Sequence, residues 1–457
     1  ALRRGQARVI ALPDGMAPPP HMTEGAIWDI ESALSDAVNQ AMKRPLEDPL
    51  ATIAEQLTFL KGQRQRSWAP PEVITATPGS PPQATVLVTM DPGQDLDDEM
   101  LIVLLSALQQ RGNVRCVGVV ATLAPATMRA QLARGTLDEL GMRDVPVGAG
   151  SDGGASGNTD FKGLAYLRPP RCGLDGEQLM SQVLAAADDR SLTIVVVSSL
   201  KDVAGLLRRE EALFVRKVKE VVIQGGVKPF DQAEPGALLE PDTAHNNEFD
   251  HDASAFFYRR CQELNVPMIV VSRFCAYQCQ MPRKIYDDMA ATGSPIGKHL
   301  KDSQAASIEQ LWRRANAEGD ARTGLPARCD STWFCDTFCG GEGKERDGGT
   351  PIWDLITAFN MYDPLALVAS VPQLASKYFE FEEVKVGDTT HRVAGVSKER
   401  CGVKAGSGLP EMLLAAFLEG IQPPPGTELQ RLRAELVEER AKSARLQQEV
   451  DGLRALM

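Results

Sequence analysis

The sequence predicts an α/β protein built on a Rossmann-like, mostly parallel sheet. Between about residues 84 and 422, short apolar runs alternate with helical stretches, which is the order of elements expected when helices cover a parallel sheet. Runs such as the one from Ile194 to Val197 are continuously apolar, as expected for strands that are buried on both faces. The predicted strands cover residues 85–90, 114–122, 192–198, 218–224 and 266–272. Residues 283–350 interrupt the alternation and are expected to form an insertion or a cap over the pocket mouth.

The composition limits the classes of function. The chain has 457 residues, 43% of them hydrophobic, which is enough for one large domain with extensions. Its formal net charge of −12 argues against general nucleic-acid binding, which depends on clustered Lys and Arg. No apolar run reaches the roughly 18 residues of a transmembrane helix, and residues 1–20 contain no apolar stretch of signal-peptide length. The nine cysteines lack paired CxxC spacing, so we expect reduced thiols in a cytoplasmic protein rather than a zinc site.

Four carboxylates crowd the turn that follows the first predicted strand: Asp91, Asp95, Asp97 and Asp98. Like charges this close repel one another unless a cation lies among them, and oxygen ligands suit a hard cation such as Ca²⁺ or Mg²⁺. The carboxyl end of a strand is also where α/β sheets bind ligands. Alternatively, an ordinary turn begins at Asp91, and Asp97 and Asp98 only favour the positive end of the next helix. The turn alone leaves both interpretations open.

Four stretches, in this order, resemble the inosine–uridine-type nucleoside hydrolases, and the resemblance extends over about 330 residues. It implies the hydrolase-type α/β fold and the Ca²⁺-dependent hydrolysis of the N-glycosidic bond of a ribonucleoside to free base and ribose. The matching stretches are Asp91-Pro92-Gly93 with Asp97-Asp98, the strand Val195-Val196-Val197 with Ser198-Ser199-Leu200, the run from Lys217 to Gly226, and Tyr362-Asp363-Pro364-Leu365-Ala366.

The resemblance implies a set of metal ligands. Ca²⁺, in preference to Mg²⁺, would be held by the carboxylates of Asp91, Asp98 and Asp363 and by the backbone carbonyl of Val197. Asp91 would also take the proton from the attacking water. The turn is two residues longer than in the family, so Asp95 is a further candidate ligand.

The resemblance also implies substrate contacts. Asp97 and Asn246 would hydrogen-bond the ribose, with capping of a loop as the alternative role of Asn246. Tyr362 replaces the histidine associated with protonation of the leaving base. Trp353 would line the base pocket together with Asp354, and an ordinary core position is the alternative for Trp353.

Several positions depart from the family pattern. Pro125 and Ala244 stand where the family usually has an Asn that touches the sugar and a Glu that holds the 5′-hydroxyl. A tyrosine hydroxyl, with an ordinary pKa near ~10, matches neutral pH poorly as an acid, and His245 and His251 are substitute acids. Two functions therefore remain open. One is an active hydrolase with an altered substrate preference, and the other is a catalytically weak or inactive hydrolase-like scaffold in a larger assembly.

The segments outside the α/β region predict association. We expect a helical dimerisation and docking segment at 1–66, a linker at 67–83, the hydrolase-like domain at 84–421, a Pro-rich linker at 422–428 and a coiled coil at 429–457. The N-terminal segment holds two predicted helices, each with one apolar stripe that needs a partner. It resembles the dimerisation–docking motif of protein kinase A regulatory subunits and Dumpy-thirty relatives. A helical hairpin packed on the main domain is the alternative.

The C-terminal segment has heptad periodicity, with core positions that alternate by three and four residues. Because Glu439 and Ser443 weaken the middle of the seam, a single amphipathic helix that lies on another protein is the alternative to a coiled coil. The expected partners are a nucleoside, and either further copies of the chain or other proteins that bind these terminal segments. The docking resemblance adds the cytoskeleton or the ciliary axoneme as locations beside the cytoplasm. The heptad positions are Leu429, Leu432, Leu436, Glu439, Ser443, Leu446, Val450, Leu453 and Met457.

Overall fold

The computed structural model describes residues 80–93, 96–154, 168, 175–230, 238–322, 325 and 329–422. The predicted docking segment at 1–66 and the predicted coiled coil at 429–457 lie outside the described residues, as does the candidate ligand Asp95. These three interpretations therefore remain predictions.

An eight-stranded sheet forms the centre of the fold. Its strands are β1 (Ala84–Met90), β2 (Val114–Ala121), β3 (Val147–Ala149), β4 (Leu192–Val196), β5 (Val218–Gln224), β6 (Met268–Val271), β9 (Glu382–Val386) and β10 (Thr389–Ala394), and a separate antiparallel pair is formed by β7 (Met281–Pro282) and β8 (Ala358–Phe359). The strands of the large sheet lie in the order β3-β2-β1-β4-β5-β6-β10-β9. Every neighbouring pair is parallel except β10 and β9, which are antiparallel at one edge. The α/β prediction with a mostly parallel sheet is confirmed.

The five predicted strands are all present as β1, β2, β4, β5 and β6, whereas β3, β9 and β10 were not predicted. The first of these three has only three residues, too few to produce a periodic signal. The other two form an edge hairpin in which buried and exposed positions mix, so neither shows the continuously apolar run that marks the central strands.

Helices cover both faces of the sheet. Successive residues of β1 point to opposite sides, so Val86 and Val88 pack in one hydrophobic cluster and Leu87 packs in the other. The helices are α1 (Asp97–Gln110), α2 (Ala126–Glu139), α3 (Gly176–Ala186), α4 (Lys201–Arg209), α5 (Glu211–Lys217), α6 (His245–Glu248), α7 (His251–Glu263), α8 (Arg273–Gln278), α9 (Lys284–Ala291), α10 (Pro295–Asn316), α11 (Ser331–Phe338), α12 (Asp363–Ala369), α13 (Pro372–Tyr378) and α14 (Leu409–Gly420), with short 3-10 helices at Gly319–Arg322 and Trp353–Leu355.

Residues 283–350 contain α9, α10 and α11, which pack in the same hydrophobic cluster as α1 and α14. The indole of Trp312 is fully buried there, with its ring 5.0 Å from that of Phe334. Within the described ranges, no helix has both the length and the hydrophobicity needed to cross a bilayer. The eight cysteines in those ranges have free thiols.

Candidate functional site

A cavity of about 310 Å³ opens at the carboxyl ends of four neighbouring strands. Asp91 follows β1, Val197 follows β4, Gln224 ends β5 and Arg273 follows β6. Because parallel strands all end at the same edge of the sheet, residues far apart in sequence meet there. The wall of the cavity is formed by Asp91, Asp97, Asp98, Val197, Gln224, Gly225, Ala244, His245, Asn246, Phe249, Arg273, Tyr277, Tyr362 and Asp363.

The acidic turn enters this cavity at the first turn of α1. The carboxylate of Asp98 accepts the backbone N–H of Asp91 at 2.9 Å, which ties the start of the turn to the helix. The buried guanidinium of Arg129 donates to the backbone carbonyls of Asp91 at 2.6 Å and Pro92 at 2.8 Å. These contacts tie Asp91 to Asp98 and to Arg129 even though the turn is longer than the family pattern.

Asp97 joins this turn to the beginning of α12. Its Oδ2 atom accepts the backbone N–H of Tyr362 at 3.3 Å and that of Asp363 at 3.4 Å. The first N–H groups of a helix have no partner within the helix, so Asp97 supplies an acceptor from a different part of the chain. The two segments that carry the predicted metal ligands are thereby fixed side by side.

Three carboxylates form a tight cluster in the cavity wall. One oxygen from each of Asp97, Asp98 and Asp363 lies within 4.8 Å of the others, and Asp98 and Asp363 are 3% and 5% exposed. Burial raises the pKa of Asp98 well above its ordinary value, and the charges of Asp91, Asp97 and Glu99 raise that pKa further. A divalent cation among these oxygens would relieve the repulsion, so this donor set fits a hard cation such as Ca²⁺.

The structure brings together all of the described residues that were predicted as metal ligands. Asp91, Asp98, Asp363 and Val197 line one cavity. Asp97, which the sequence resemblance assigned to the ribose, also belongs to the three-carboxylate cluster. The cluster therefore contains two of the predicted metal ligands, Asp98 and Asp363, together with Asp97. Asp91 lines the same cavity but is not one of the three clustered carboxylates.

Asn246 also lines the cavity and is 8% exposed. Its Nδ2 atom donates to the backbone carbonyl of Gln224 at 3.2 Å and to the side-chain oxygen of Gln224 at 2.6 Å. These two bonds fix the orientation of the Asn246 amide. Sequence reasoning gave Gln224 no role, although its place at the end of a predicted strand was a signal that could have identified it.

The candidate acids differ in position. Tyr362 lines the cavity, and its hydroxyl accepts a hydrogen bond from Asn360 at 3.2 Å. His245 also lines the cavity, with its ring 4.5 Å from that of Phe249. His251 is exposed at the start of α7 and is absent from the described residues of the cavity wall.

Trp353 is also absent from the described part of the cavity wall. Its ring stacks on Phe359 with centroids 6.0 Å apart, and the guanidinium of Arg283 lies 5.3 Å from its centroid. The insertion at 283–350 likewise contributes none of the described residues that line the cavity. Arg273 and Tyr277, by contrast, lie on the wall without having been predicted there. Their place directly after the predicted strand at 266–272 was the available signal.

The chain is similar to one protein family and to several solved structures. The family model described as inosine-uridine preferring nucleoside hydrolase matches residues 86–409. The effector protein XOO4466 has 26% sequence identity and a TM-score of 0.61, covering 80% of this chain and 99% of its own. The type III effector protein XopQ, solved in complex with adenosine diphosphate ribose, has 27% identity and a TM-score of 0.60, covering 79% of this chain and 97% of its own.

A purine-preferring ribonucleoside hydrolase from Gardnerella vaginalis is more distant, with 14% identity and a TM-score of 0.46 over 73% of this chain and 99% of its own. No curated protein matches the chain. The family match covers most of the sequence and contains the acidic turn, the strands that end at the cavity, and the segment that carries Asp363. The chain belongs to the inosine-uridine preferring nucleoside hydrolase family.

Proposed function

We propose that the protein hydrolyses the N-glycosidic bond of ribonucleosides in a Ca²⁺-dependent reaction that yields free base and ribose. The observation that carries the proposal is the convergence of Asp97, Asp98 and Asp363 within 4.8 Å on the wall of a cavity of about 310 Å³. Such a volume falls within the range of small-molecule sites. Membership of the nucleoside hydrolase family supports the reaction class.

The residues that would hold the cation are Asp91, Asp98, Asp363 and the backbone carbonyl of Val197, and Asp97 lies in the same cluster. Asp95 stays a further candidate. A bound divalent cation supplies positive charge that lowers the pKa of water and orients hydroxyl groups.

The protein's own groups account for the rest of the chemistry. Asp91 accepts the proton of the attacking water, as expected of a carboxylate placed at the reacting centre. As the bond between C1′ and the base breaks, positive charge develops on the ribose ring, and the surrounding carboxylates stabilise that charge. Asn246, held by Gln224, and Asp97 orient the ribose hydroxyls.

Tyr362 is the proposed donor to the leaving base. Tyr362 lines the cavity, and its hydroxyl is oriented by the hydrogen bond that it accepts from Asn360. His245 is the alternative donor because it lines the same cavity. The role of Trp353 at the base stays a prediction from the sequence.

A panel of inosine, uridine, adenosine, guanosine and cytidine tests the proposal. We expect release of free base, loss of that release in excess chelator, and its return when Ca²⁺ is added. If no nucleoside is hydrolysed by protein that still binds Ca²⁺, the catalytic proposal is wrong. The inactive scaffold predicted from the terminal segments would then be the better interpretation.

The similarity to XopQ supports a second ligand. That protein was solved in complex with adenosine diphosphate ribose and is 27% identical over 79% of this chain. We propose that the present cavity also binds ADP-ribose, since this compound presents a ribose that the cluster of carboxylates and Asn246 would hold.

A further inference from the structure

A second cavity, of about 670 Å³, adjoins the first. Arg273 belongs to the walls of both cavities. Asp242 and Thr243 line the second cavity, and the next residue, Ala244, lines the first. The wall of the second cavity is formed by Val227, Lys228, Pro229, Phe230, Asp242, Thr243, Arg273, Phe274, Val396 and Arg400.

The charge of the wall reverses from one cavity to the other. Four carboxylates line the first cavity. Among the described residues of the second, Lys228, Arg273 and Arg400 are cationic, and Asp242 is acidic. Lys228 and Arg400 are also paired with carboxylates that are not part of that wall, those of Glu240 at 2.8 Å and Glu382 at 3.0 Å. A ligand that spans both cavities would therefore place a neutral or cationic end in the first and an anionic group near Arg273.

Arg273 is positioned to bind an anionic group of the ligand. It begins α8, directly beyond β6, and its Nη2 atom donates to Asp242 at 3.2 Å. Asp242 is itself held by the backbone N–H of Ala244 at 2.8 Å and by the side chain of Asn247 at 3.3 Å. A guanidinium has five N–H donors, so one side chain can be oriented by Asp242 and also donate to phosphate oxygens.

The second cavity also offers apolar surface. Phe230 and Phe274 lie on its wall with Val227 and Val396. Aromatic rings of this kind stack on nucleobases. At the junction, Ala244 presents only a methyl group, where the family pattern has a carboxylate that would repel a phosphate. The cationic side chains and the aromatic rings of the second cavity together fit a diphosphate followed by a base.

We propose that the second cavity holds the tail of a dinucleotide whose 5′-diphosphate is bound by Arg273, and that the preferred substrate class is a dinucleotide with a pyridinium base on the ribose in the first cavity. This inference rests on the proposed N-ribosyl hydrolase function. Nicotinamide adenine dinucleotide is the representative compound, and its hydrolysis yields ADP-ribose.

The leaving group explains the choice of a pyridinium. Water forms a bond to C1′, the bond between C1′ and the base nitrogen breaks, and its electron pair neutralises the positive nitrogen. The water loses one proton to Asp91, which passes it to solvent, so the products are nicotinamide, ADP-ribose and one proton. No acid is needed at the base. A site in which a tyrosine, a weak acid at neutral pH, replaces the usual histidine therefore suits this substrate.

The test compares the hydrolysis of NAD⁺, nicotinamide riboside and inosine by the full chain with Ca²⁺ present. We expect kcat/KM for NAD⁺ to exceed that for nicotinamide riboside by about 10-fold or more, since charge-assisted hydrogen bonds to the diphosphate are absent from the riboside. Nicotinamide riboside should in turn be hydrolysed faster than inosine. Equal rates for NAD⁺ and the riboside would overturn the tail site, and faster hydrolysis of inosine would overturn the pyridinium class.

Variants test whether Arg273 causes the preference for NAD⁺ over nicotinamide riboside. Arg273→Gln should lower the preference for NAD⁺ over the riboside, and the affinity for ADP-ribose, by about 10-fold. Arg400→Gln tests the same cavity at an exposed position. The matched control is Arg259→Gln, because Arg259 is also exposed and has a carboxylate neighbour, Glu263, at 3.7 Å. An unchanged preference in both cavity variants, or an equal loss in the control, contradicts the proposal.

Binding separates this inference from the proposed function. If nucleosides are hydrolysed but ADP-ribose binds no more tightly than adenosine, the function stands and the tail site is wrong. If nothing is hydrolysed but ADP-ribose binds and Arg273→Gln weakens it, the tail site stands. Hydrolysis and the pyridinium substrate class are then wrong.

Discussion

The carboxylate of Asp97 accepts the backbone N–H of Asp363 at 3.4 Å, across 266 residues of sequence. The same two side chains belong to the three-carboxylate cluster. Asp97 therefore both satisfies the start of α12 and adds negative charge beside Asp98. Its two roles can be separated, because asparagine keeps an acceptor oxygen but loses the charge.

We predict that Asp97→Asn weakens Ca²⁺ binding by about 10-fold or more without destabilising the calcium-free protein. The loss of one negative charge lowers the repulsion around Asp98, while the amide oxygen can still accept the N–H groups of α12. Thermal unfolding with and without Ca²⁺ measures both effects, since a ligand that binds the folded state raises Tm by an amount that grows with the logarithm of its affinity. Asp302→Asn, on the exposed surface of α10, is the control. An unchanged calcium-induced rise in Tm for Asp97→Asn would show that the cluster does not bind the cation.

Asp91→Asn should reduce kcat by about 10²–10⁴-fold, the usual contribution of a general base. An amide cannot take the proton from water. Steady-state kinetics on the best nucleoside of the panel provides the measurement. Retention of activity within about threefold would exclude Asp91 as the base.

Gly420 is predicted to be essential for the packing of α14 on α1. A Cβ atom at Gly420 would lie 2.0 Å from the carbonyl oxygen of Val103, so Gly420→Ala forces the two helices apart and should destabilise the protein by about 1–3 kcal/mol. Gly205→Ala on α4 is the matched control, because its Cβ would meet only the flexible end of Arg209 within 4 Å. The free energy of unfolding of Gly205→Ala should rise by up to about 1 kcal/mol, because alanine has a higher helix propensity than glycine. Denaturant unfolding of both variants measures the difference, and equal stabilities would contradict the predicted close approach.

His391 should make stability depend on pH. Its side chain is fully buried, its Nδ1 atom accepts the backbone N–H of Met268 at 3.2 Å, and burial lowers its pKa to about 4. Between pH 6.5 and 4 the unfolded chain binds a proton on this residue more readily than the folded chain does. Stability therefore falls as the pH decreases through this window, by up to about 3 kcal/mol.

The free energy of unfolding of His391→Gln should fall less steeply than that of the parent protein as the pH decreases from 7 to 4. The exposed His251→Gln is its control and should keep the parent slope. If the His391→Gln and parent slopes are identical, His391 does not resist protonation in the folded state.

The central strands and the acidic turn were predictable from the sequence, because both signals are local. Apolar runs such as 192–198 indicate strands buried on both faces, and the turn that follows the first strand carries Asp91, Asp97 and Asp98. The resemblance then supplied Asp363 and Asn246 as members of the same site. The hairpin β9–β10 was not predictable, since an edge hairpin with mixed exposure lacks such a run. Gln224 and Arg273 were missed because their roles depend on what lies opposite them.

By itself, the sequence determined the family, the α/β class and the carboxylates that line the first cavity, because burial periodicity and short motifs are written in neighbouring residues. The tertiary structure decided that Asp97 is bound to the backbone at Asp363, that Gln224 orients Asn246, and that a cationic second cavity opens beside Arg273. Those relationships arise where the carboxyl ends of β1, β4, β5 and β6 meet at one edge of the sheet. Distances between residues hundreds of positions apart are set by strand order and packing, which no local pattern encodes.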